Sequence, residues 1–168
     1  NNHTLTAAAT VDVSGVTITD VSSGALSVAS GVEITLSSSQ AGAFGSISNS
    51  GTLKISNTLS GASGVSSINT IAGGSTGTVI ASVNGTSAQL SQLTASGTSS
   101  TQNYTMVVSS IATTLVAVAI ADATVAATVD FSAAGIGDSF SNLTSGATVS
   151  SGINQITGVD GDVFINVN

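Results

Sequence analysis

The chain predicts an all-β fold, a single-domain repetitive β-solenoid, β-helix-like, with short helical corners; a β-sandwich is the alternative. Three observations predict it. The composition is 41% hydrophobic but only 3% aromatic and 5% charged, so a core must be built from small and β-branched side chains, which favour strands. Apolar and polar residues alternate in short runs separated by Gly and Ser, the pattern of strands with one buried face. The runs also repeat, which points to a unit that cannot bury its face alone. At 168 residues the chain is long enough for one domain, 1–168, with a real core. A mean hydropathy of +0.50 argues against disorder.

Along the chain, residues 1–10 (NNHTLTAAAT) read as a flexible segment or as an N-terminal strand donated to another chain. A first strand starts at Val11 without a charged or proline guard. Val32, Ile34 and Leu36 alternate with polar partners, and the alternation resumes at Leu53 and Ile55, Val79 to Val83, Val125 to Phe131 and Val163 to Val167. Between these runs lie SSSQAGAFGSI, TSAQLSQL and GDSFSNL, in which Ser, Thr or Asp precedes apolar residues three or four apart. Each reads as a capped helical turn. The apolar stretch Ile111 to Val129 is long enough to ask about a membrane span. Its Ala/Thr/Val composition, the central Asp122 and the absence of flanking Lys, Arg or aromatic belts favour two buried strands, and no membrane insertion is expected.

Two segments share V-D-x-S-x-x-x-I-x-D: VDVSGVTITD from Val11 and VDFSAAGIGD from Val129. Each is followed by a second related element, SGALSVASGVEI from Ser23 and SGATVSSGINQI from Ser145. NTLSGASGVSSINTIAG from Asn57 aligns with NLTSGATVSSGINQITG from Asn142, and a weaker copy starts at Gln92. Spacings of about 35 to 50 residues fall in the range of repeat architectures.

Ile136 to Val163, IGDSFSNLTSGATVSSGINQITGVDGDV, resembles the tandem repeats of very large secreted bacterial surface proteins, S-layer-like and adhesin-like. The resemblance implies an extracellular, repetitive, non-enzymatic role, often with calcium. The chain departs from the acid-dense nonapeptide calcium repeats, having no G-G-x-G-x-D run.

The chemistry available is narrow. One Lys, no Arg and a net charge of −7 leave nothing to neutralise phosphates, which excludes counterion-release binding to nucleic acid. Without cysteine there is no disulfide or thiolate site. The only histidine, His3, sits near the start, so a Ser-His-Asp arrangement lacks its base. Glu33 and the seven aspartates suffice in number for paired carboxylates, but the chain is poor in the aromatic and basic residues that hold sugars. Asp12, Asp20, Asp130 and Asp138 read as turn starts that cap backbone N–H groups.

The best metal candidate is VDGDVFINVN, where Asp160 and Asp162 flank Gly161 with hard oxygens suited to calcium; no other cofactor is expected. D-G is equally a hairpin turn signal. Asn2, Asn84, Asn103 and Asn142 each begin an N-x-S/T glycosylation sequon, about the number chance gives with eleven asparagines.

The chain starts without Met or a leader-like segment and ends inside an apparent strand, as a processed chain or a piece of a longer one would. Unguarded strand edges invite another chain, so a homo-oligomer or polymer is expected. The functional expectation is a non-enzymatic extracellular structural protein that self-assembles through strand edges into a surface layer or filament. The alternative is a repeat module of a large adhesin that binds calcium or sugar, with cell-surface glycans as partners.

Overall fold

Ile34 and Leu36, Leu53 and Ile55, and Val79, Ala81 and Val83 occupy alternate positions of successive runs and are all buried, so each run is a strand with one face in the core. The computed structural model describes residues 3–18, 24–93, 101–110, 126–130, 136–139, 156–157 and 163–166. Within them the elements in order are β1 (Thr4–Ala7), β2 (Val11–Asp12), β3 (Ala25–Val28), β4 (Glu33–Leu36), α1 (Ser38–Ala43), β5 (Ser46–Asn49), β6 (Thr52–Ile55) and β7 (Leu59–Ser60). There follow α2 (Gly61–Gly73), β8 (Thr78–Gly85), α3 (Ser87–Leu90), β9 (Thr101–Val108), β10 (Ala126–Asp130), β11 (Ile136–Ser139), β12 (Ile156–Thr157) and β13 (Val163–Asn166).

Every strand pair is parallel. The large sheet has the order β2-β4-β6-β8-β9-β10-β12, with β7 beside the second half of β8; β1-β3-β5 form a second sheet and β11-β13 a third. Early strands alternate between the first two sheets, so each turn of chain lays one strand on each. Spatial order follows chain order throughout, and no point of reversal exists at which an open parallel sheet would form a ligand crevice.

Helix α2 breaks the alternation. Its buried residues Val65, Ile68, Ile71 and Ala72 recur at helical spacing, and Gly64 lets the first turn lie against the Leu59 backbone. At its end, Gly74 rests on the Ile47 carbonyl and Ser75 bridges to Asn49, which places α2 after β5, where a fourth strand of the small sheet would otherwise stand. The turns between strands are stacked as tightly. A Cβ on Gly51 would collide with the Ala29 and Val32 carbonyl oxygens, and one on Gly77 with that of Gly51.

The all-β expectation, β-solenoid and sandwich alike, is therefore corrected. The described chain is mixed α/β, with open parallel sheets and helices, because Val65, Ile68, Ile71 and Ala72 follow a period near 3.6 rather than 2 and bring a helix into the core. A sandwich fails separately, since it is built from antiparallel strands. Gly137, Asp138 and Ser139 of GDSFSNL belong to β11 and not to a helical turn. The proposed alignment of 57–73 with 142–158 also breaks down, for Ile71 and Ala72 are helical where their counterparts Ile156 and Thr157 form β12. The hairpin reading of VDGDV is corrected too: β12 pairs with β10 and β13 with β11, so the flanking strands do not pair with each other.

Candidate functional site

The sequence candidates scatter. Asp160, Asp162, Asn2 and Asn142 lie outside the described residues, as do Asp20 and residues 111–125. Asn84 is half-buried on β8, whereas Asn103 is exposed on β9. Asp12 does what a turn-starting aspartate does: its Oδ1 accepts the Ser14 amide at 2.9 Å. Hydrogen bonds from Ser14, its hydroxyl first and then its amide, hold the carboxyl below the usual carboxylate range. Asp130 and Asp138 sit within strands β10 and β11, and so depart from the turn-start reading. Among the described residues no three His, Cys, Asp or Glu side chains gather to hold a metal ion, and no helix is long and apolar enough to cross a membrane.

What the structure does bring together is the first turn of chain. Leu5 and Ala7 on β1 stand in register with Leu26 and Val28 on β3, and Val11 on β2 stands in register with Ile34 on β4. These are core columns, because register neighbours in a sheet share a face. Leu26 and Ile34 are 0% and 1% exposed, but Leu5 is 36% and Val11 42% exposed, since no strand lies in front of them. Val16, at 56%, completes a group of three exposed large apolar residues.

Local bonds hold this end in shape. Val13 N donates to Thr35 O at 3.0 Å, and Val16 N to Val13 O at 2.9 Å, closing the turn that carries Val16. From α1, Gln40 Nε2 donates to Val13 O at 2.8 Å and Val16 O at 2.6 Å, while its Oε1 accepts from Ser37 N at 2.7 Å. One side chain thus caps α1 and fixes the turn. Thr10 Oγ1 accepts from Glu33 N at 3.3 Å and ties down the β1–β2 link.

The chemistry of this end is an apolar patch flanked by the unpaired backbone groups of two edge strands. It is a surface for adding strands. Sequence reasoning noted the unguarded strand at Val11 but missed Leu5, Val16 and Gln40. A signal for Leu5 was present, since Leu5 and Ala7 alternate as Leu26 and Val28 do further along.

A second concavity, of about 440 Å³, lies between α1, β5 and α2, with Phe44, Ile47 and Ile71 at its apolar side and Ser38, Ser66 and Thr70 at its polar one. It has no titratable group. Comparisons of the chain with family models, with curated proteins and with solved structures found no match.

Proposed function

We propose that the chain is a non-enzymatic structural protein of the cell exterior, whose copies assemble through strand edges into a surface layer or filament. The observation that carries this reading is the open first turn, where Leu5 and Val11 continue core columns that end in solvent. Edge strands offer a row of unpaired N–H and C=O groups, and natural proteins usually blunt them with charge, proline or a covering element. Here β1 has no charged residue and β2 has only Asp12. Burying the exposed parts of Leu5 and Val11 contributes at about 25 cal/mol per Å² of apolar surface removed from water, added to the new ladder bonds. An exterior location is supported by the absence of cysteine, by the Ser/Thr/Ala/Gly-rich composition and by the likeness of Ile136 to Val163 to secreted surface repeats.

Light scattering with size separation, run across protein concentration, tests the reading. Growth into large species is expected, and a monomer at every concentration overturns it. Repeating the series with calcium and then chelator tests Asp160 and Asp162, which become ligands of the assembly if chelation reverses growth.

A further inference from the structure

The internal repeat indicates what covers the open end. Val11 and Asp12 of β2 pair in parallel with Ile34 and Thr35 of β4. The matching Val129 and Asp130 of β10 pair in parallel with Ile156 and Thr157 of β12. The same V-D dipeptide thus lies beside the same I-T dipeptide twice, in one sheet and in one register. The two copies differ on the other side. Val129 and Asp130 also pair with Met106 and Val107 of β9, whereas Val11 and Asp12 have no strand there among the described residues. The repeat therefore shows a V-D strand to be a two-sided one, able to carry parallel neighbours on both edges.

The strand at the far end of the sheet is β12, which among the described residues pairs with β10 alone. Because all strands are parallel and follow chain order, a copy translated along the sheet brings its β12 to β2 with the correct polarity. Resting on the assembly reading above, we propose that a second copy of this chain docks head to tail on this end, its β12 pairing in parallel with β2, Ile156 opposite Val11 and Thr157 opposite Asp12. The ladder then runs Val129-Asp130, Ile156-Thr157, Val11-Asp12, Ile34-Thr35 across the contact, a continuation of the phase each copy already has.

Charge favours this arrangement over a symmetric one. In the head-to-tail ladder Thr157 separates Asp130 from Asp12, which puts the two aspartates two strand spacings, about 9.6 Å, apart. That is close to a Debye length at physiological salt. A head-to-head contact of two β2 edges would bring both Asp12 carboxylates to one place, where like charges oppose strand pairing. The head-to-tail contact is heterologous and does not consume its own ends, so it propagates into a filament unless a rotation closes it.

Neighbouring strands lie about 4.8 Å apart, within the span a disulfide bridges. The chain has no cysteine of its own, so engineered thiols report the contact directly. Val11→Cys and Ile156→Cys single variants, mixed in equal amounts and oxidised, are expected to yield the mixed disulfide well above either homodimer. Asp12→Cys with Thr157→Cys reads the same register should Ile156→Cys fail to fold. Val11→Lys, at an exposed position that tolerates charge in the monomer, is expected to raise the concentration needed for growth at least about tenfold. Growth in light scattering without the mixed disulfide from either pair overturns this contact but leaves self-assembly standing. Absence of growth in the unmodified chain overturns both.

Discussion

Two buried polar side chains at the residue scale make opposite predictions. Asn49, 1% exposed, is satisfied: its Nδ2 donates to Ser75 Oγ at 2.8 Å and Thr78 O at 3.0 Å, and its Oδ1 accepts from Gly51 N at 3.0 Å. It therefore joins three segments at a stacked turn where Gly51 and Gly77 leave no room for a side chain to shift. Asn49→Ala strands those partners in the interior, and a loss of about 2–4 kcal/mol in urea unfolding is expected. A loss below about 1 kcal/mol would mean that water replaces the amide. Tyr104, fully buried on β9, has a hydroxyl with no hydrogen-bond partner among the described residues. Tyr104→Phe is therefore expected to leave stability unchanged or to raise it by up to about 1 kcal/mol. Burial pushes this phenol above its ordinary value near 10. The unfolded chain then releases the proton first, so the contribution of Tyr104 is whole below about pH 10 and is lost as pH rises through the folded value. Since it is the only tyrosine, phenolate absorbance should appear together with alkaline unfolding and not before it. Phenolate formation in a chain with native circular dichroism would show that the ring is not sealed.

Helix ends at the element scale follow one recipe used twice. Ser37 and Gln40 form a capping box on α1, and Thr86 and Gln89 form one on α3. In both, the first helical residue is bonded from the next turn of chain: Ser38 N donates to Asn57 Oδ1 at 2.7 Å, and Ser87 N to Ser110 Oγ at 3.1 Å. These corners were legible, because Ser or Thr before apolar residues three or four apart is a local signal. What Gln40 reaches was not. Its bonds to Val13 O and Val16 O depend on which turn of chain lies beside α1, and spacing alone does not give that. Gln40→Ala is expected to cost about 2–3 kcal/mol, summing a lost cap and two buried-side bonds. Amide exchange should quicken at Val16 while Ile34 keeps its protection. A cost below about 0.5 kcal/mol would sink this account. Helix α2 was readable and was misread. In Val65, Ile68, Ile71 and Ala72 the helical period competes with a Ser/Gly-rich likeness to 142–158, and the period decided the structure because it alone specifies a buried face.

Parallel order and open ends follow from repetition in the whole molecule, and only part of this could be read from the chain. The V-D-x-S repeat was legible, and it does mark equivalent strands of one sheet. That Leu5 and Val11 would be core columns left uncovered was not, because exposure there depends on what stands in front and not on the residues themselves. Charge sets the conditions under which such an end finds a partner. Eight acidic residues against one lysine give each copy a net charge of −7, so approach of two copies is opposed at long range by repulsion and favoured at contact by apolar burial and ladder bonds. Salt weakens the first term, the Debye length falling from about 30 Å at 0.01 M to about 8 Å at 0.15 M, and leaves the second nearly untouched. The concentration at which scattering rises is therefore expected to fall severalfold as sodium chloride is raised from about 0.01 to 0.15 M, and again as pH is lowered toward the isoelectric point near 4.1. A nucleic-acid or ion-paired contact has the opposite salt dependence. If added salt instead dissolves the assemblies, the contact is made by ion pairs through Lys54, the only basic side chain available, and not by the apolar strand edges of the first turn.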